Sequence, residues 1–257
     1  PNINYVIAVM SGKGGVGKST IAGLIASSLQ RRGLAIGLLD ADITGPSIPK
    51  LFGIHQSPLS SPDGILPVES SNGIGIMSIN LLLPEEDQPV IWRGPLIGRA
   101  IQQFWSDIHW GDLDYLIIDL PPGTADAALT VMQSLPLDGI VLITSPQDLA
   151  GMVVRKAGNM AMHLEIPIIG LVENMSYTIC PKCGECINLF GVSQAERTAG
   201  MLGSQMLGRL PLDTQLSVLC DQGKIENYRD PEFENVAERI LEFASPKEKE
   251  ASLEVGL

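Results

Sequence analysis

The chain has 257 residues, 45% apolar and 18% charged, which suits one sizeable hydrophobic core and excludes a wholly disordered polymer. Its 17 basic and 29 acidic residues leave a formal charge of −12, which argues against a duplex-binding surface because phosphate contacts need clustered lysine and arginine. No apolar run approaches the roughly 20 residues of a membrane span, and residues 3–10 lack the basic leader and cleavage site of a secretory signal.

Taken in order, apolar runs alternate with amphipathic stretches. "YVIAVM" (5–10) reads as a buried strand, and residues 19–31 place Ile21, Leu24, Ile25 and Leu29 on one helical face. "LAIGLLD" (34–40) predicts a second strand. Residues 53–75, rich in Gly, Pro and Ser, predict loops or a small hairpin before the strand "IGIMSI". "GPLIGRAIQQFWSDI" predicts a helix, "YLIIDL" (115–120) a strand and "TADAALTVMQSL" a helix. "GIVLITS" (139–145) and "IPIIGLVEN" (166–174) continue the strands, with a helix over 149–163 between them. A short strand near 206–210 and a helix near 231–244 follow, and the charged tail 245–257 is expected to fray. Strands this rich in Ile, Leu and Val, alternating with helices, predict an α/β fold: a mostly parallel sheet covered by helices on both faces. Residues 1–244 are expected to form one unit, with a cysteine loop at about 176–191.

Gly12, Gly17, Lys18 and Ser19 satisfy G-x-x-x-x-G-K-[ST] between the first strand and the first helix. In such a loop the backbone N–H groups of Gly12, Gly14, Gly15, Val16, Gly17 and Thr20 curl around phosphate oxygens at a helix N-terminus. Lys18 is expected to reach the β- and γ-phosphates, and the Ser19 hydroxyl to ligate Mg²⁺. The full string "SGKGGVGKST" resembles the deviant Walker A loop of the MinD/ParA/nitrogenase-iron-protein group of P-loop ATPases. That resemblance gives Lys13 a role across a dimer interface, at the partner's nucleotide. It also implies that Asp42 activates the attacking water and that Asp119 holds Mg²⁺ in the stretch "DLPPGTAD". Gly123 then offers its N–H to the γ-phosphate, Asn174 hydrogen-bonds adenine, and the "LPLD" loop with Pro211 closes over the base. For Asp40 two readings stay open, an indirect support of Mg²⁺ or of the loop, or a purely structural cap.

Three of the four cysteines cluster, at Cys180, Cys183 and Cys186, which reads as metal or redox chemistry in a reducing compartment rather than as a disulfide framework. In "CPKCG" two thiols stand two residues apart, a spacing that lets both sulfurs meet one metal. Together with "DADITGPSIPKLFG", "WRGP" and "DLPPGTAD", this loop resembles the Mrp/ApbC-type iron–sulfur cluster carrier ATPases, over about residues 3–244. The resemblance implies ATP binding and hydrolysis, cytoplasmic location, and a homodimer holding a [4Fe–4S] cluster on Cys180 and Cys183 of both subunits. Its partners would be a cluster donor or scaffold and recipient apoproteins, with neither nucleic acid nor membrane. Cys186 departs from the pattern; third ligand, relay and spectator all stay open, with spectator favoured. Cys220 is expected to be a buried small hydrophobe, and Met152, Met160 and Met162 core filler. Trp92 and Arg93 are assigned equally to a dimer or partner surface or to packing. The rival readings are a structural zinc site, a dithiol switch whose thiolate is favoured by Lys182, or a MinD- or ParA-like positioning ATPase.

Overall fold

The computed structural model describes residues 2–42, 45–62, 64–82, 94–124, 126–146 and 152–244. The expectations for Trp92, Arg93 and the tail 245–257 lie outside the described residues. The chain opens with β1 (Asn2–Ser11), α1 (Lys18–Arg31), β2 (Ile36–Asp40) and a one-turn α2 (Ile48–Leu51). A hairpin of β3 (Leu59–Ser61) and β4 (Gly64–Leu66) follows, then β5 (Val68–Glu69) and β6 (Gly75–Ser78). Next come α3 (Gly94–Ser106), β7 (Asp112–Asp119), α4 (Asp126–Ser134), β8 (Gly139–Thr144) and α5 (Met152–His163). The last part holds β9 (Ile168–Ile179), β10 (Cys186–Ile187), α6 (Ala195–Met201), β11 (Met206–Pro211), α7 (Thr214–Asp221) and α8 (Pro231–Ala244).

The main sheet runs β10-β9-β8-β1-β7-β2-β6-β5, with β11 paired to β9. Its pairs are parallel except at the two ends, where β5 opposes β6 and β10 opposes β9. The expected mostly parallel sheet is therefore found. Side chains on a strand alternate between faces, and the two cores follow that rule. Ile7 and Val9 of β1, with Tyr115 and Ile117 of β7, pack with Ile21, Leu24 and Ile25 of α1 on one face. Val6, Ala8 and Met10, with Leu116 and Ile118, pack with Ile101 and Phe104 of α3 on the other. Two covered faces explain why these strands read as unbroken apolar runs.

Register sets the site. Asp119 is level with Val9 of β1 and with Asp40 of β2, so both aspartates emerge beside the loop that follows β1. These are the carboxyl ends of parallel strands, where such sheets open a ligand crevice. Some elements differ from expectation, the one-turn α2 among them. β9 runs past residue 174 to Ile179, because β11 and β10 continue to pair with it. The short β10 and α6 carry no periodic signal of their own. Met162 is 49% exposed, so it is not core filler, whereas Met160 packs against the second core.

Candidate functional site

The loop after β1 is shaped by glycine backbone. Gly15 and Gly17 take φ of 79° and 81°, left-handed values that side chains resist. Gly17 is also the N-cap residue, directly before α1. A Cβ there would lie 2.3 Å from Asn174 Nδ2, so only glycine fits. Behind it, Asn174 Nδ2 donates to the Val16 carbonyl at 3.0 Å. Asn174, expected beside adenine, is thus engaged with the phosphate loop itself.

Lys18 is 6% exposed, and its Nζ donates to Asp119 Oδ1 at 2.5 Å. The Ser19 hydroxyl donates to the other Asp119 oxygen. Asp119 is fully buried; burial pushes its carboxyl above the ordinary range, while Lys18 and Ser19 pull the other way. Two residues expected to serve one magnesium ion, Ser19 and Asp119, therefore meet across 100 residues of sequence. Both present hard oxygen donors, the set that Mg²⁺ takes.

Asp40 is also fully buried and is pushed up to about 8, first by burial and then by the Asp119 charge. Its Oδ2 accepts the backbone N–H groups of Ser47 at 2.9 Å and Ile48 at 3.0 Å, and its Oδ1 that of Asp42 at 3.2 Å. These bonds tie residues 42, 47 and 48 to the sheet, as an indirect support of the loop or a structural cap would. Asp42 is 7% exposed, and its carboxylate accepts the Gly45 N–H at 3.3 Å. A cavity of about 330 Å³ opens between these groups, lined by Gly14, Gly15, Lys18, Thr20, Asp42 and Pro122 among others. Lys13 is not among its lining residues; that side chain is partly exposed, and its carbonyl accepts the Ser11 hydroxyl at 2.9 Å. The Gly123 N–H, expected at a phosphate, donates to the Ser11 carbonyl at 3.0 Å. Pro211 ends β11 level with Tyr177, and the following Asp213 caps α7 by accepting the Gln215 N–H at 2.8 Å.

The cysteine loop is a short hairpin built on β9. Cys186 is level with Ile179 and Ile187 with Thr178. The Cys180 N–H donates to the Glu185 carbonyl and the Gly184 N–H to the Cys180 carbonyl, each at 2.9 Å. Within this turn the Cys180 sulfur accepts the N–H groups of Cys183 and Lys182 and a side-chain hydrogen bond from Cys183, which together hold its thiol below the usual range. The backbone of residue 182, rather than its ammonium, supplies part of that effect. Cys183 and Cys186 are exposed, and all four cysteines are free thiols. Among the described residues no three His, Cys, Asp or Glu side chains converge on one metal position. Cys220 packs against the first core as a small hydrophobe, half-buried at the end of α7 near the Thr20 hydroxyl, and burial raises its thiol.

The residues that sequence reasoning missed lie beneath this turn. Glu173, only 2% exposed, accepts the Ser176 hydroxyl, and Arg209 of β11 reaches both. The one available signal was a charged residue inside the apolar run "IIGLVEN".

Among the described residues no helix is long and apolar enough to cross a membrane. Residues 2–245 match the family model for the NUBPL iron-transfer P-loop NTPase of the ParA group. A protein of Methanocaldococcus jannaschii named iron-sulfur cluster carrier protein is 45% identical over 253 residues, covering 96% of this chain and 87% of the relative. One of the same name from Clostridium perfringens is 43% identical over 235 residues, covering 88% and 82%. A solved nucleotide-binding protein of Archaeoglobus fulgidus, in complex with ADP and with Co, superposes at a TM-score of 0.82 with 44% identity, covering 90% of this chain and 91% of that one. The cell division ATPase MinD of Pyrococcus furiosus shares the fold, with a TM-score of 0.69 at 18% identity over 93% and 99% of the two chains. The motif, the sheet that displays it and the family match agree, and this chain belongs to the NUBPL iron-transfer family of P-loop NTPases.

Proposed function

We infer that the chain is an ATP-hydrolysing carrier that binds an iron–sulfur cluster as cargo and passes it to recipient apoproteins. The observation that carries this reading is the Cys180–Cys183 turn. Its sulfur is stabilised as a thiolate by backbone N–H groups, and it is displayed at the end of the strand whose Asn174 supports the phosphate loop. Carrier names among relatives above 40% identity support the same reading.

In detail, Lys18 exchanges Asp119 for the β- and γ-phosphates of ATP, while the N–H groups of residues 14–19 line the phosphates. Mg²⁺ fits the paired oxygens of Ser19 and Asp119, and when bound supplies charge neutralisation at the phosphates. Asp42 orients the attacking water, Gly123 turns its N–H to the γ-phosphate, and Asn174 and Pro211 border the adenine. Lys13 serves the partner's nucleotide in a homodimer, consistent with its place outside its own cavity wall. Each chain contributes two thiolates, Cys180 and Cys183. A cubane cluster has four ligands, so a two-fold axis beside the turn completes a [4Fe–4S] site between subunits. Cys186 stays outside the ligand set. The ATPase unit spans 1–244, in a reducing cytoplasmic compartment that keeps these thiols free.

Anaerobic reconstitution with iron and sulfide tests this. Expected are about four irons and four sulfides per dimer, the complement of one cubane cluster, with a charge-transfer absorption band. Stoichiometric zinc that survives reconstitution, or a full cluster on a monomer, would overturn the bridging carrier.

A further inference from the structure

Glu173 is a buried carboxylate that directly follows the apolar first part of β9, Ile168–Val172, and neither site described above uses it. An unpaired charge there would be costly. Its Oε2 accepts the Ser176 hydroxyl and lies 3.5 Å from Arg209 Nε, which itself donates to the Ser176 oxygen at 2.8 Å. The guanidinium reaches further. Its centre is 5.8 Å from the centroid of the Tyr177 ring, and its Nη2 donates to Asn188 Oδ1 at 3.3 Å. Tyr177 lies on the strand entering the cysteine turn, and Asn188 directly follows β10, which leaves it. One rigid, forked cation thus grips both limbs of the hairpin that carries Cys180 and Cys183.

The inner end of this clamp is tied to the phosphate loop. Arg209 is level with Glu173 but Pro211 with Tyr177, so two steps along β11 span four along β9. The excess bulges out at 174–176, where Met175 takes a φ of 54°, a left-handed value uncommon for methionine. The bulge is where Asn174 meets the Val16 carbonyl. That carbonyl and the Gly17 N–H belong to one planar trans peptide and point in opposite directions. A phosphate drawing on the N–H and Asn174 holding the oxygen therefore act on a single rigid plate.

We propose that Glu173, Ser176 and Arg209 are positioning residues that pass phosphate-loop occupancy, through Asn174 and the bulge, to the geometry of the Cys180–Cys183 turn. The element biased from both ends is the 174–176 bulge. This rests on the nucleotide and cysteine assignments above, but not on the cargo being a cluster.

The test uses the full, reduced, metal-depleted chain and reads alkylation rates of Cys180 and Cys183 by mass spectrometry, with and without ADP plus Mg²⁺. A free-thiol peptide added to every sample is the internal reference, since Cys220 lies beside Thr20 of the nucleotide cavity. In the wild type, nucleotide should change the rates about fivefold, the low end of ordinary coupling between sites. Arg209→Gln should bind nucleotide within about twofold of wild type while losing that response, because the coupling and not the phosphate contact is removed. Arg209→Lys, which keeps the charge without the fork, should retain part of it. Asn188→Ala removes only the outer grip from an exposed residue, so it decides the matter if Arg209→Gln melts early; its response should also shrink. A response in both variants equal to wild type would overturn the clamp. So would a wild type that binds nucleotide without any change at Cys180 or Cys183, which leaves the carrier reading intact. A wild type that binds no nucleotide would sink both.

Discussion

β9 serves two sites, one at Asn174 in its middle and one at the turn after Ile179, and the two are built by opposite means. At the nucleotide site Lys18, Asp40, Asp42 and Asp119 are all at most 7% exposed; the aspartates are fixed by sheet register or backbone hydrogen bonds, and Lys18 by its ion pair with Asp119. At the cysteine site the turn hangs on two residues of β10, with Cys183 and Cys186 in solvent. Apolar side chains surround it in the open: Ile179, Ile187, Leu189, Phe190 and Val192 are between 40% and 85% exposed. A site that works on charge must be pre-organised away from water, where fixed dipoles act at full strength. A site that hands over cargo must stay reachable, so its stability is left to whatever closes over it.

Substitutions that separate the two sites sharpen this contrast. The largest effect is expected from Cys180→Ala or Cys183→Ala, which should abolish bound iron after reconstitution while leaving nucleotide affinity as in wild type, read by metal analysis and by calorimetry. Cys186→Ala and Cys220→Ala should keep their iron. Lys18→Ala should do the reverse, weakening nucleotide binding by about 2–5 kcal/mol, the usual consequence of truncating one partner of a buried charge pair. Asp42→Ala should leave affinity nearly intact and lower turnover about 100-fold, the low end for a group acting on the attacking water. Equal loss of affinity in both would merge the roles assigned to them. Gly17→Ala comes next: a left-handed alanine costs about 1–2 kcal/mol before its Cβ meets Asn174, so the melting temperature should fall by several degrees. Asn174→Ala combined with it should recover part of that fall, since the clash is with that side chain.

The smallest effect is a slope. Burial, and then the Asp119 charge, push the native Asp40 carboxyl up to about 8 from an ordinary 3.8, so between those limits the folded chain should hold a proton that the unfolded chain has released. Stability from that proton is complete below about pH 4 and is lost as pH rises through 8. Urea melts without nucleotide or Mg²⁺ should show stability declining over this window. Asp40→Asn, which still accepts the N–H groups of Ser47 and Ile48, should flatten the decline. An unchanged slope would mean that Asp40 is already ionised in the folded protein.

The nucleotide site was legible in sequence because its signals are local. A glycine-rich loop sits between an apolar strand and a helix, and an aspartate closes a run of isoleucine and leucine. What was not legible depends on partners far along the chain. Asn174 meets Val16 across 158 residues, and Arg209 meets Ser176 across 33. Neither pairing has a spacing that a reader could recognise. The cysteine pair was visible as C-x-x-C, yet the cause of the depressed Cys180 thiol was not, since backbone N–H groups do that work and residue identity does not record where they point. Short elements escaped for a related reason: α2 spans four residues and β10 two, fewer than either period needs to repeat.

The central place of β1 also has a consequence in time. Its Asn2 side chain bonds to Asp112, 110 residues onward, and the Val6 N–H to Asp138, 132 residues onward. At a synthesis rate of about 5–20 residues per second, β1 waits on the order of 10 s for its neighbours to leave the ribosome. During that interval its apolar residues have no sheet to join, and such distant pairings close slowly. All four strands of the nucleotide frame, β1, β2, β7 and β8, emerge before β9 does. The cysteine turn therefore emerges after the strands that carry the phosphate loop and before β11 and α8, whose Phe233, Val236 and Ile240 complete the core under α1.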